Sequence, residues 1–421
     1  MTTAIPYTGK GDLALTIAEE QLLGIYEPND IPQAEGAALF EGALTGLDAF
    51  LTGCTSLLVI INDATRPTPT PAMLTALMPR LEKAGIKDEM ITILVATGAH
   101  RAVKESELPQ LLGVWTERFK GRLVSHVSTD EESLVEIGKT RNGTPIILNT
   151  LLFACDRIIA TGSVEPHYFA GFTGGRKAFL PGIAGYRTIE ANHKLAISPS
   201  ACALALEGNP VHEDMMDALP HIKAPIYSLM TVLNKEQEVV AATGGDLITS
   251  FEEAVEVATG VFCVEIPQRG DVVVSVAKFP MDINLYQAQK AIDNGALAVK
   301  DGGTLILVAS CREGIGGEEF ARLLTTSSSP DDALATIQGT YKLGYHKAAK
   351  MAAVSKRITV MALTDLDGAT IRSLFLEPID DLDTAVGKAL DRARERGVAD
   401  PKVIILPDGC VTVPKVRHDK S

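Results

Sequence analysis

The feature that most constrains this chain is a repeated alternation. Short, apolar, β-branched runs are each followed by a stretch with helical period. The runs LLVII (57–61), ITILVA (91–96) and RIIAT (157–161) are mostly apolar and look like strands buried on both sides of a parallel sheet. Between the first two lies Pro71–Ala84, which reads as a helix stopped by Gly85 despite its internal Pro79. The second half repeats the theme. Strands are predicted at Val272–Val276, Thr304–Val308, Ile358–Ala362 and Lys402–Leu406, and helices at Leu285–Val299, Gly317–Thr325, Tyr345–Ala353 and Thr384–Arg396. Parallel strands need crossovers, and helices supply them. The expected fold class is therefore α/β: two α/β domains with mainly parallel sheets, and an active site in the interdomain cleft. A length of 421 residues suits two or three domains. Pro267 and Gly270 precede a fresh strand, so the boundary is placed at 1–265 and 266–421. The closing stretch KVRHDKS, 415–421, reads as frayed.

Composition narrows the function. Lys plus Arg total 39 against 53 Asp plus Glu, a formal charge of −14. Nucleic acids and anionic membranes are poor partners for such a chain, because phosphate contact needs clustered cations. No apolar run is long enough to span a bilayer, and the amino terminus lacks a basic stretch followed by an apolar one. Cys54, Cys155, Cys202, Cys263, Cys311 and Cys410 are scattered, with no C-x-x-C pair. They read as reduced thiols of a cytoplasmic protein, and a cysteine-based zinc site is not expected. A metal would need His, carboxylates or a cofactor's own atoms.

In open α/β sheets, chemistry collects in the loops past the carboxyl ends of strands. After 57–61 comes Asp63-Ala64-Thr65-Arg66-Pro67. Pro67 holds Arg66 extended, and a guanidinium there can fork onto a carboxylate or phosphate. The plainer reading has Asp63 and Thr65 capping the next helix and Arg66 solvated. After 91–96, Gly98 permits a tight turn that presents His100. His126 is read as structural. The densest signal is the loop 162–183, GSVEPHYFAGFTGGRKAFLPGI, followed by Ile189-Glu190-Ala191-Asn192-His193. Its glycines at 171, 174, 175 and 182 allow close approach of the backbone to a ligand. It fits neither GxxxxGK[ST] nor GxGxxG. It does bring His167, Arg176, Lys177 and His193 into one segment. In the second half, Asn284–Ala291 opens a helix on which Gln287 and Lys290 share a face, and Gly314–Gly317 forms another Gly-rich turn. This inventory suits acid/base work on a small anion, with Arg66 and Lys290 on the carboxylate and paired imidazoles moving a proton. The C2 proton of a plain 2-hydroxy acid is too weakly acidic for imidazole alone, so a cofactor acting as hydride acceptor or electron sink is implied.

The motifs DATRPTP (63–69), ATGAHR (96–101), EPHYFAGFTGGRKAFLPGI (165–183), TIEANH (188–193), NLYQAQK (284–290) and REGIGGEEF (312–320) resemble those of the nickel-dependent lactate racemase family, whose enzymes use a nickel-pincer nucleotide. The likeness runs almost end to end, through PDG at 407–409. The resemblance implies a racemase or epimerase, an isomerase inverting C2 of a 2-hydroxy acid, with lactate the leading substrate. It implies His100 and His167 as the acid/base pair. It implies Lys177 as the covalent tether of nickel pyridinium-3,5-bisthiocarboxylic acid mononucleotide, with Gly174 and Gly175 beside it. His193 would be the protein's ligand to nickel, while Arg66, Lys290, Gln287 and Tyr286 bind substrate. The enzymes that build the cofactor would be the partners. Ala64 stands where lactate racemases of this family carry a histidine, which implies a roomier or less polar pocket. Two rival readings are a nicotinamide-dependent 2-hydroxyacid dehydrogenase, disfavoured by the missing GxGxxG, and a non-catalytic nickel-nucleotide carrier, which would not need the paired histidines.

Overall fold

The structure is a computed structural model that describes residues 1–9, 11–34 and 38–417. It divides into two compact units, Asp30–Val261 and Met1–Asn29 with Phe262–Ser421.

The unit Asp30–Val261 is built on a six-stranded sheet in the order Val239–Gly245, Ile226–Leu233, Arg157–Ser163, Leu57–Asn62, Ile91–Ala96, Leu123–Ser125. All neighbours are parallel except the first pair. The apolar runs predicted as strands occupy its centre, and Val59, Ile60, Ile61, Ile93 and Leu94 are fully buried. The predicted helix spans Thr70–Lys83, with Gly85 left-handed just beyond. It covers the sheet with Met73, Leu74, Leu77 and Leu81, in a core cluster shared with Val59, Ile61 and Ile93. The order of the strands matters for function. The chain runs outward from Leu57–Asn62 through Ile91–Ala96 to Leu123–Ser125, then returns to the opposite side with Arg157–Ser163. That reversal leaves a switch point between the loops that follow Asn62 and Ser163, where open α/β sheets hold ligands.

The other unit has a second six-stranded sheet, ordered Glu377–Pro378, Thr359–Leu363, Val299–Val308, Gly270–Val276, Val403–Leu406, Leu22–Ile25, and parallel throughout. The helices over Leu285–Leu297, Glu318–Thr326, Tyr345–Arg357 and Leu382–Glu395 match those expected. Two expectations are revised. Residues 1–29 belong to this unit rather than to an uninterrupted first domain. Leu22–Ile25 is an edge strand on Val403–Leu406, and Ile5, Leu15 and Ile17 join the core with Val272, Ile306 and Val386. Lys415 and Val416 are not frayed either, because Val413–Val416 pairs in parallel with Cys263–Ile266; the rest of the predicted tail, 418–421, lies outside the described residues. Cys54, Cys155, Cys263, Cys311 and Cys410 are free thiols. Among the described residues no helix is long and apolar enough to cross a membrane.

Candidate functional site

The predicted residues of the first unit emerge at the carboxyl edge of its sheet. Register aligns Asn62 with Ala96, and Ile60 with Ala160, so the segments after these strands start side by side. Asp63 does not cap the following helix, whose N-cap is Pro69 with no side-chain bond. Its carboxylate instead turns to His100. Oδ2 lies 2.7 Å from His100 Nδ1, while Oδ1 accepts from the Thr65 hydroxyl at 2.6 Å and the Thr65 amide at 3.2 Å. Burial would raise the Asp63 pKa, but hydrogen bonds from His100 and Thr65, and the charges of His100 and Arg66, outweigh it and hold the carboxyl below its ordinary value. The carboxylate accepts only, so His100 carries its ring proton on Nδ1 and offers the Nε2 lone pair. The His100 side chain is half exposed.

The loop 162–183 folds back as a short hairpin, Pro166–His167 against Gly171–Phe172, then a single 3₁₀ turn over Gly175–Ala178. It is tied to the His100 turn by Gly98 N–H donating to Gly182 O at 2.8 Å. His167 Nδ1 accepts from the Ala170 amide at 3.3 Å, and its Nε2 sits 3.4 Å from Lys177 Nζ. With Nδ1 accepting, the neutral ring bears its proton on Nε2 and donates to the Lys177 amine. Burial, reinforced by the Arg66 and Arg176 guanidiniums and opposed by Glu165, drives the Lys177 ammonium well below its usual range, which favours the uncharged, nucleophilic amine. Phe169 packs against three of the predicted residues. Its ring meets His167 edge-on at 4.5 Å and His193 at 5.0 Å, and lies 5.5 Å from Lys177 Nζ.

His193 lies in the last turn of the helix Tyr186–Lys194. Its proton is placed by a chain of bonds. Asn192 Nδ2 donates to Asp214 Oδ2 at 2.9 Å and to Val211 O at 3.2 Å. That orients the amide so that Asn192 Oδ1 faces His193 Nδ1 at 3.2 Å and accepts from it, leaving Nε2 as the ring's donor atom. Burial, with the Lys177 charge adding to it, pushes His193 down to about 3. The ring is therefore neutral, as metal coordination requires. Among the described residues no three His, Cys, Asp or Glu side chains converge on one point.

Arg176, expected only as part of the loop's polar content, is 1% exposed. It donates to the carbonyls of Ala170, Gly174 and Thr173 and lies over the Phe251 ring at 4.5 Å. It clips the loop into shape. Gly174 and Gly175 are both left-handed, and a Cβ would meet Val164 Cγ2 at 2.6 Å and the Phe251 ring at 2.8 Å, so packing alone accounts for their missing side chains. His126 is structural, its ring held between Ala184 O and Asn149.

Tyr286, Gln287 and Lys290 lie in the other unit and form a group of their own. Asn284 caps their helix by accepting from the Gln287 amide at 3.0 Å. The Gly-rich turn explains itself here. It wraps this helix start, with Leu285 N–H on Gly314 O and Tyr286 N–H on Ile315 O. A Cβ on Gly317 would sit 2.4 Å from the Tyr286 ring, and one on Gly316 2.7 Å from the Asn284 amide carbon. Lys290 Nζ contacts Met281 Sδ at 3.3 Å. The residues that reading the sequence left without a role are Asp63, Phe169, Asn192 and Asp214. Only Asp63 announced itself, as an acid directly after a central strand.

Fold and site together define a class: an α/β protein of two parallel-sheet units, with His167, Lys177 and His193 gathered around Phe169 at the carboxyl edge of one sheet. Comparison with known proteins gives the class a family. Residues 8–203 match the lactate racemase N-terminal domain and residues 266–413 the lactate racemase C-terminal domain. The chain is 31% identical over 424 residues to a lactate racemase of Thermoanaerobacterium thermosaccharolyticum, covering 96% of this chain and 97% of that one. It is 33% identical over 376 residues to a lactate racemase of Lactiplantibacillus plantarum, covering 88% and 87%. The structure of the lactate racemase apoprotein from T. thermosaccharolyticum superposes with a TM-score of 0.90 at 29% identity, over 99% of this chain and all of that one. A Thermotoga maritima protein shares the fold at a TM-score of 0.69 and 20% identity, over 92% of this chain and all of that one. This chain belongs to the lactate racemase family.

Proposed function

We propose that the chain racemises a 2-hydroxy acid, lactate first among them, with a nickel-pincer nucleotide tethered at Lys177. The observation that carries this reading is the convergence of His167, Lys177 and His193 around Phe169. The residues fit the group. A tether needs an uncharged amine, and the surroundings of Lys177 lower the cost of that form. A thiolate-rich, borderline-soft metal needs a neutral imidazole, and His193 presents Nε2 with its proton fixed on Nδ1. Gly174 and Gly175 keep the tethering loop tight. When bound, the cofactor accepts a hydride from the substrate's C2 and returns it.

The protein's own residues divide the remaining work. Arg66 and Lys290 bind the carboxylate, and Tyr286 and Gln287 line the substrate's surroundings. His100, with its Nε2 lone pair exposed by the Asp63 bond, takes the hydroxyl proton. His167, once protonated to the imidazolium, gives a proton to the oxygen when the carbon regains its hydride on the other face and is left as the neutral ring. Inversion needs one base and one acid, so one ring enters neutral and the other protonated, and the proton gained by His100 returns through solvent. In the reverse direction the roles exchange.

The test is the protein made alongside the cofactor-building enzymes. Intact mass is expected to show an adduct that maps to Lys177, with about one nickel per chain. Chiral chromatography is expected to show D- and L-lactate interconverting. A loaded protein that inverts none of a panel of 2-hydroxy acids overturns the reading. Unchanged loading in the H100A/H167A variant, with all turnover lost, separates the enzyme from a carrier.

A further inference from the structure

Lys347 has no counterpart in the roles described above. It lies on the helix Tyr345–Arg357, on a face shared with fully buried Ala348, Met351 and Ala352, and is 4% exposed. A lysine is rarely buried without a specific task. Its two ends grip the same neighbouring helix. Nζ donates to the main-chain oxygen of Tyr286 and stands 4.0 Å from the centroid of the Tyr286 ring. Its own carbonyl accepts from Gln289 Nε2 at 2.7 Å, and Gln289 is fully buried. By the helical repeat, the Tyr286 carbonyl also receives the amide of Lys290. The lysine therefore holds the peptide group that seats Lys290, along with the face of the tyrosine ring. That ring is also packed by Gly317 and by Phe320, whose ring meets it edge-on at 5.5 Å. A pair of like charges is brought close as a result. Burial, and next the Lys290 charge, lower the Lys347 ammonium to about 7, against the opposing influence of Asp293 and Cys410. An arrangement with that electrostatic cost is retained where it fixes geometry.

We propose that Lys347 is a positioning residue, which pins Tyr286 and the first turn of helix Leu285–Leu297 so that Gln287 and Lys290 face the substrate carboxylate. The inference rests on the reading of Lys290 as a carboxylate binder, so the experiment tests both. Loaded wild type, K347M, K347R, K290A and K290A/K347M are compared for lactate KM and kcat and for thermal unfolding. Hydrogen exchange over 284–297 is followed in the same set. For K347M the expected result is a KM raised about tenfold, with a smaller change in kcat, the scale of one lost hydrogen bond to a charged group. Exchange is expected to quicken in the first turn of the Leu285–Leu297 helix while the Tyr345–Arg357 helix stays protected. K347R, which keeps the charge and the ring contact, is expected to recover most of the KM. In the double variant K347M adds little to K290A, because one acts through the other. If K290A leaves KM unchanged, the carboxylate reading fails. If K290A raises KM but K347M does not, or if the two effects multiply, the positioning role fails. Should K347M not fold, an unchanged KM and exchange pattern in K347Q would overturn the proposal equally.

Discussion

Replacing Asp63 by Asn tests how the site sets the proton on His100. The two residues differ by one atom, so packing is preserved, and the consequence follows from the hydrogen bonds. Thr65 donates both its hydroxyl and its amide to Oδ1. An asparagine at 63 must leave its oxygen there, and its NH₂ then turns to His100 Nδ1, 2.7 Å away in the native pair. An NH₂ facing Nδ1 can only donate, so the ring's proton moves to Nε2 and the lone pair facing substrate is lost. The expected loss in kcat is about 10²- to 10⁴-fold, the range that a positioned general base contributes. Covalent loading at Lys177 is expected to be intact. The assay is chiral turnover of lactate by D63N, H100A and the double variant. In the H100A background D63N is expected to cost almost nothing further, because the carboxylate acts through the ring. A D63N kcat within about threefold of wild type, or losses that multiply in the double variant, would falsify the assignment. Stability gives an independent check. The folded Asp63 carboxyl lies below its ordinary value. Its contribution is therefore present above the unfolded value near pH ~3.9 and is lost as pH falls through the lower folded value. Urea midpoints of D63N are expected to fall less steeply than wild type in that acid window.

Three further outcomes are expected. K177A loses the covalent adduct and the nickel together, whereas H193A keeps the adduct mass and loses most of the metal, which mass spectrometry and metal analysis distinguish. Gly174→Ala places a Cβ 2.6 Å from Val164 at a φ of +76° and is expected to lower stability by roughly 2–4 kcal/mol, read by denaturant unfolding. His193, depressed to about 3 in the fold, stabilises the apoprotein above the unfolded histidine value near pH ~6.5, and that contribution is lost as pH falls towards about 3; H193A is expected to flatten this part of the pH–stability profile.

Local pattern alone determined a good deal. Continuous β-branched runs placed the strands at the centres of both sheets, because a strand buried on two faces has no polar side to show. The helix Tyr345–Arg357 was legible for the converse reason, its apolar residues Tyr345, Ala348, Ala349, Ala352 and Ala353 recurring at helical spacing. His100 and Lys177 stood out as polar groups close to glycines in loops after strands, where backbone geometry rather than core packing selects the residue; His167 and His193 stood out as imidazoles in or just past the same loop as Lys177.

The tertiary structure decided what joins distant positions. Asp63 and His100 are 37 residues apart, and Tyr286 and Lys347 61. Nothing in either segment signals the other, since their meeting depends on strand order and on helices packing side by side. The glycines at 316 and 317 looked like turn formers and are required by the Asn284 and Tyr286 side chains. The amino-terminal stretch looked like the start of the first domain and is an edge strand of the second. Residue type is chosen by the immediate environment, which periodicity reports. Partnership is chosen by topology, which enters only when the chain closes on itself.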